Sequence, residues 1–219
     1  MNYILAAFGI VLASSAHAQV SVSLGPSFAT LAPRQQDTYR SASADGQLGY
    51  HLGLGYEHQL GPRFALYSEL QFSRQRVQLV LEDRSIADGG YTGRYKLGIS
   101  YLHLPVLLRA NIGPAYVEAG PQASFSLAAH EKGTESLGRI WGSYDYSFDR
   151  RATDHYRRFD GGLAVGAGIR LGKGFGLGAR ASAGLVSVTH FNQPLGDFRG
   201  ELKNRAVQAS ISYQLKSGS

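Results

Sequence analysis

Leu48, Tyr50, Leu52, Leu54 and Tyr56 alternate with Gly49, His51, Gly53 and Gly55, so one face of this segment is bulky and apolar and the other is small or polar. A period of two belongs to a β-strand whose faces meet different surroundings. The pattern recurs along the chain. Val20, Val22 and Leu24 outline a first strand before the Leu48 segment. Phe64, Leu66, Leu70 and Phe72, interleaved with Tyr67, Glu69 and Gln71, outline a third. A fourth carries Leu97, Ile99 and Tyr101, then changes phase to Leu102, Leu104, Val106 and Leu108. That change predicts one extra residue inserted as a bulge, with Pro105 there or on the non-bonding side of the ladder. Val117, Ala119, Ala123 and Phe125 mark the fifth strand, and Leu163, Val165, Ala167, Ile169 and Leu171 the sixth. Phe175 to Leu185 alternates as the seventh, and Val207, Ala209, Ile211, Tyr213 and Leu215 form the eighth. No long segment beyond residue 18 repeats its apolar residues at helical spacing, so the expected fold is all-β.

The connections alternate in length. Leu60 to Arg63, Asn111 to Pro114 and Gly172 to Gly174 read as tight turns rich in Gly and Pro. Between them lie longer polar stretches near Ala32 to Asp45, Glu82 to Gly90, Ala129 to Phe159 and Asn192 to Arg199. Short turns and both termini at one end, with long loops at the other, is the layout of a bacterial outer-membrane barrel. The predicted fold is therefore an eight-stranded antiparallel up-and-down transmembrane β-barrel. Turned outward, the bulky positions supply the apolar band of about 25 Å that lipid requires. In a soluble barrel the same positions would point inward. Tyr50, Tyr56, Tyr95, Tyr101, Phe191 and Tyr213 are the expected members of the interfacial aromatic girdles.

The first residues are of a different kind. Ile4 to Leu12 is a nearly pure apolar run, and Ala16-His17-Ala18 offers small residues where a signal peptidase cuts. Residues 1–18 read as a signal peptide cleaved near Ala18, although Met1-Asn2-Tyr3 lacks a positive side chain, and residues 19–219 as one barrel domain. The run is shorter than the roughly 20 residues of a spanning helix, against an uncleaved anchor. The expected destination is the outer membrane of a Gram-negative bacterium. With 0 Cys, an exported chain must hold together without disulfides, which a closed sheet achieves by leaving no edge unpaired. The net charge of +6 includes Arg150, Arg151, Arg157 and Arg158 in one apparent loop, a poor nucleic-acid footprint in an exported protein.

At Tyr101-Leu102-His103-Leu104-Pro105-Val106-Leu107-Leu108, followed by Tyr116-Val117-Glu118-Ala119-Gly120-Pro121-Gln122, the chain resembles the PorT-like outer-membrane β-barrel family of Bacteroidota. Aromatic, Leu, polar, apolar, Pro and aliphatics, then an aromatic-x-Glu-x-Gly strand after a short turn, are the shared features. The resemblance spans essentially residues 19 to 215 and implies an eight-stranded outer-membrane barrel, with some relatives linked to secretion or surface assembly. Such barrels often end on an aromatic residue read by the barrel-insertion machinery. This chain ends Tyr213-Gln214-Leu215-Lys216-Ser217-Gly218-Ser219, so Tyr213 or Leu215 is expected to serve.

With the bulky face outward, Glu57, Glu69, Glu118, His103, Arg109, Arg170 and Arg180 fall into the lumen. Eight strands enclose just enough room for side chains, so these residues are expected to form an ionic plug rather than a pore. Tyr67, Tyr116 and Gln122 add inward bulk against a continuous water path. A narrow channel is the alternative, and a barrel enzyme acting on lipid or peptide is a third reading. Its candidates are a Glu69/Glu118 acid-base pair, or Ser136, Ser143 and Ser147 near His130-Glu131 and Asp154-His155. Neither is backed by a cleft or by more than nearness in sequence. No catalytic, cofactor or metal site is therefore expected. Gly162, Gly166, Gly168 and Gly172 mimic a nucleotide loop, but no helix follows them.

The third long loop is the most promising interaction element. Trp141, Tyr144, Tyr146 and Phe148 alternate with small or polar residues, as if strands five and six continued above the membrane as a hairpin. Exposed aromatics beside Arg150, Arg151, Arg157 and Arg158 suit a protein partner or lipopolysaccharide phosphates. The expected function is a structural or interaction barrel serving a partner through its loops or plugged lumen.

Overall fold

The computed structural model describes residues 18–33, 40–84, 89–139, 142–187 and 202–215. Nine strands run in chain order: β1 (Ala18–Pro33), β2 (Arg40–Gln59), β3 (Phe64–Asp83), β4 (Gly89–Ile112), β5 (Ala115–Arg139), β6 (Gly142–Arg151), β7 (Phe159–Gly172), β8 (Phe175–Ser187) and β9 (Leu202–Leu215). A short 3-10 turn, Thr153–His155, links β6 to β7. Each strand but β6 pairs antiparallel with both neighbours, and β1 closes the ring on β9 from Val20↔Leu215 to Pro33↔Leu202. The barrel proper has eight strands, and β6 is an addition paired with β5 above the point where β7 leaves it. The β7–β8 turn is left-handed throughout, with Gly172 at φ 84°, Lys173 at 53° and Gly174 at 88°, so glycine occupies two of its three strained positions.

The walls divide into two storeys. Near the short turns, the outward side chains are Leu52, Leu54, Phe64, Leu108, Leu163, Leu177 and Ile211, all exposed. Their inward neighbours are buried and polar, among them Ser23, His51, Gln71, Ser73 and Ser124. Near the long loops the polarity inverts. Leu31, Val77, Leu79, Leu97, Ile99 and Tyr101 close an apolar core with Tyr95, Phe148 and Tyr156, while Arg76, Arg94, Lys96 and Lys132 face outward. Apolar groups leave water wherever they can. In the lower storey they point out into hydrocarbon, and in the upper storey, with water outside, they turn in.

This inversion corrects the bulge expected on the fourth strand. β4 keeps one phase throughout, with Tyr95, Leu97, Ile99, Tyr101, His103, Leu107 and Arg109 all buried inside. The apolar residues change sides at Tyr101 because the surroundings of the strand change, not its register. The extra residue lies on the facing strand: Ser100 pairs with Ala128 and Tyr101 with Ser126, leaving Leu127 as the bulge on β5. A second bulge interrupts β2 between Gln47 and Tyr50.

Tyr95 and Tyr101 are thereby corrected as well, being 2% and 1% exposed in the upper core rather than in a girdle. Tyr50 and Tyr213 do face outward, and Phe191 lies outside the described residues. The long loops are shorter than expected, because polar outward residues above the bilayer continue the ladders. Ala32 and Pro33 still belong to β1, Arg40 to Asp45 pair in β2 up to Arg40↔Asp83, and Ala129 to Arg139 belong to β5. The signal-peptide reading falls, apart from Ala18, on residues outside those described, as does the Asn192 to Arg199 loop.

Candidate functional site

The inward face of the lower storey brings together the seven lumenal residues that the alternation points to, all but His103 in one ionic network. Arg109 is at its centre. Its Nε and Nη2 donate to Glu118 Oε2 at 3.1 and 2.7 Å, its Nη1 donates to Glu57 Oε2, and its guanidinium lies between the rings of Tyr67 and Tyr116, 3.9 and 4.0 Å from their centroids. Arg180 bridges Glu118 to the third acid, Glu69. Its Nε and Nη2 donate to Glu118 Oε1 at 3.0 and 2.9 Å, and its Nη1 to Glu69 Oε2 at 2.7 Å. Arg170 caps the network at the turn end, donating from Nη2 to Glu57 Oε1 at 2.9 Å and from Nη1 to Asn111 Oδ1 at 3.0 Å.

Three guanidiniums thus face three carboxylates, and Glu57, Glu69 and Glu118 are each buried. Ions taken from water must be paired and hydrogen-bonded to remain charged. Here each acid oxygen has a donor: Ser23 Oγ donates to Glu69 Oε1, and Gln59 Nε2 to Glu57 Oε1 at 2.7 Å. His103 sits one layer higher. Its Nε2 meets Ser73 Oγ and its Nδ1 meets Ser124 Oγ, each at 2.8 Å, which holds the ring by both nitrogens. Ser23, Gln59 and Asn111 complete the network, and Ser73 and Ser124 hold His103 above it; a reading guided by charge misses all five. Their signal was the period itself, which places Ser23, Ser73 and Ser124 on the inward side.

Small side chains are needed opposite this bulk. A Cβ on Gly168 of β7 would lie 2.4 Å from Tyr116 Cζ, so glycine there admits the ring that covers Arg109. The nucleotide-loop lookalike is therefore a thin strand wall. Between the network and the small residues of β8, β9 and β1, including Gly176, Ser210, Ser212 and Ser21, lies a cavity of about 210 Å³ that reaches Gln19 and Gln214 at the turn end. Toward the loops the apolar upper core follows.

That core holds a buried acid of its own. Glu131 is fully buried, accepting a 2.8 Å bond from Tyr156 OH and a 3.2 Å bond from Arg150 Nε. Burial, then the neighbouring Tyr95 and Glu131, pushes the Tyr156 phenol well above its ordinary value. Burial and Glu131 do the same to Tyr95. Glu131 falls in a stretch that reads as loop, and the Leu127 bulge, which shifts the parity of a longer β5, is what turns it inward.

The hairpin residues separate. Tyr144 and Tyr146 are exposed at 73% and 64% on β6, while Trp141 lies outside the described residues. Phe148, grouped with them in the sequence reading, is instead 7% exposed and packs on Tyr95 at 5.9 Å, because the inward side of β6 closes the upper core. Arg150 lies over the Phe148 ring at 4.6 Å and is tied to Glu131. Arg151 faces outward, Arg157 is half-buried, and Arg158 Nη2 donates to Asp154 Oδ1 at 3.3 Å. Of the enzyme candidates, His130 takes Asp149 as its partner at 2.6 Å, on an exposed face, and Glu69 and Glu118 share Arg180 between them. Among the described residues no three His, Cys, Asp or Glu converge on a metal position.

Among solved structures, the chain is similar to Neisserial surface protein A, with 9% identity over 90% of this chain and 99% of that one, and a TM-score of 0.49. It is similar to outer membrane protein OprG from Pseudomonas aeruginosa, with 12% identity over 92% and 98% and a TM-score of 0.46. It is also similar to the attachment invasion locus protein Ail of Yersinia pestis, with 14% identity over 91% and 99% and a TM-score of 0.40. No curated protein matches the sequence. The family described as outer membrane protein beta-barrel domain matches residues 13–190, most of the closed ring. The chain belongs to this family of outer-membrane β-barrel proteins, whose place is the Gram-negative outer membrane.

Proposed function

We propose that this protein is a closed, non-conducting barrel that holds the β5–β6 hairpin outside the outer membrane for a protein partner. The observation that carries the reading is the apolar upper core. Leu79, Leu97, Tyr101 and Tyr156, each at most 1% exposed, fill the ring above the ionic network, so a hydrated ion entering from the turn end meets a dry layer. The hairpin then has the character of a display element, with Tyr144 and Tyr146 exposed on a strand supported from beneath by Phe148. Export through a signal peptide cleaved near Ala18, and insertion guided by Tyr213 or Leu215, belong to the same reading. The Tyr101–Leu108 and Tyr116–Gln122 segments favour a PorT-like relative from Bacteroidota, and with it a role in secretion or surface assembly.

The competing reading, a narrow channel, draws on the 210 Å³ cavity at the turn end. Planar-bilayer recording of the refolded chain separates the two. The closed barrel gives no steady single-channel steps, and removing bulk from the upper core with Leu97→Ala and Tyr156→Ala introduces leak. Steady steps from the unaltered protein would overturn the proposal.

A further inference from the structure

β6 is a strand with one bare side. It pairs with β5, from His130↔Arg151 to Arg139↔Gly142, and among the described residues with no other strand. The Ala152 amide donates to Ala129 O at 3.0 Å, and this sets the phase of the ladder. In an antiparallel pair alternate residues exchange main-chain bonds, so those of Tyr144, Tyr146, Phe148 and Arg150 go to β5. The amides and carbonyls of Ser143, Asp145, Ser147 and Asp149 then point away from it. A row of such groups is a template for a further strand.

The face beside that edge has its own chemistry. Phe148 packed on Tyr95 and Arg150 tied to Glu131 fix the even positions of β6 on the barrel side. Tyr144 and Tyr146 continue that parity above the core, both exposed, and Glu135 lies directly across the ladder from Tyr146. Gly93 faces Glu135 from β4, and the Tyr91 hydroxyl folds over it, 2.9 Å from where a Cβ would stand. Burial, then the Glu135 carboxylate, pushes the Tyr91 phenol above its ordinary value. Glu131 holds Arg150, but among the described residues no cation pairs with Glu135. Asp145, exposed on the outer side of β6, adds a second negative charge to the edge. A carboxylate among tyrosine rings suits a guanidinium or ammonium group, which pairs with the acid and is attracted by the ring faces.

We propose that the bare edge of β6 takes up an extended, basic segment of a protein partner by antiparallel strand addition, with an Arg or Lys opposite Tyr146 laid over that ring and against Glu135. Main-chain bonds then supply affinity, and alternate side chains supply specificity. Neighbouring strands stand about 4.8 Å apart, so Glu135 lies about 10 Å from the added backbone, a span that the two long side chains close between them. The inference rests on the reading that the hairpin meets a protein partner, and it adds that partner's chemistry.

The test uses the full chain refolded in nonionic detergent micelles and a short labelled peptide in which Arg alternates with Thr, its binding read by fluorescence anisotropy. The peptide binds saturably. Citrulline in place of each Arg, an isostere without the charge, weakens binding roughly tenfold or more, as does Glu135→Gln. Tyr146→Leu weakens it about two- to fivefold, the worth of an exposed cation–ring contact. N-methyl groups on the Thr residues, whose amides face β6 in this register, abolish binding, whereas on the Arg residues, whose amides face away, they do not. Asp154→Asn, which removes a charge away from the edge, leaves binding unchanged. The altered peptides need no variant, so the test holds even if a substituted chain refolds poorly. No binding by the unaltered chain, equal binding of the citrulline or Thr-methylated peptide, or an equal loss in Asp154→Asn and Glu135→Gln would overturn the proposal. Such a failure leaves the closed barrel standing, because bilayer conductance tests that reading separately.

Discussion

Arg109 and Glu118 face each other across the β4–β5 ladder, and the guanidinium closes on the carboxylate through two donors at 3.1 and 2.7 Å. Glu118 also accepts from Arg180 at 2.9 and 3.0 Å, so one acid serves two buried cations. Replacing it strands both. Removing one member of a buried ion pair costs about 3–5 kcal/mol, and Glu118→Gln, which keeps one acceptor oxygen, is expected near the lower end. Urea unfolding of the refolded barrel, followed by gel shift, measures the loss. Glu82→Gln is the control, since its Arg84 partner is 79% exposed and such pairs contribute at most about 1 kcal/mol. An unchanged midpoint for Glu118→Gln would remove that residue from the plug.

The lower storey was legible because its alternation has a single solution. Leu48, Tyr50, Leu52 and Leu54 face glycine and histidine positions too small or polar for lipid, and the charged partners then fall inside by parity. β4 was harder. Leu97, Ile99 and Tyr101 on one parity, followed by Leu102, Leu104 and Val106 on the other, look the same whether a residue is inserted or the solvent outside changes. Only the partner strand distinguishes the two, and the consecutive outward pair Leu127 and Ala128 marks the actual bulge. Glu131 and Phe148 are hard to place for the same reason, since a polar stretch above the membrane reads as loop although it is a strand with water outside.

The inversion between storeys makes a paired prediction. Leu54 is 54% exposed, and in hydrocarbon Leu54→Arg costs about 2–4 kcal/mol, as for arginine near the bilayer midplane. Lys96, exposed on the same outer surface but higher, should tolerate Lys96→Leu within about 0.5 kcal/mol, as a surface position in water does. Refolding yield and urea midpoint in lipid vesicles report both. A Leu54→Arg chain as stable as the unaltered one would place that face in water and reverse the assignment of inside and outside.

The upper core carries its own pH signature. Burial raises the phenols of Tyr95 and Tyr156 in the folded chain, whereas in the unfolded chain they ionise near the ordinary value of about 10. A raised folded-state pKa favours the neutral form, so this contribution to stability is complete below about pH 10 and is lost as pH rises beyond it. The unfolding midpoint should hold between neutrality and pH 9 and then fall steeply. Ultraviolet titration should show fewer tyrosines ionising before unfolding than after it. Tyr156→Phe removes one of the two phenols and also the 2.8 Å bond to Glu131, so it flattens the alkaline fall while lowering the plateau by about 1.5–3 kcal/mol, the worth of a hydrogen bond to a charged group. A plateau that falls equally in both proteins above pH 10 would mean that Tyr156 ionises freely, and that the layer closing the barrel is wet.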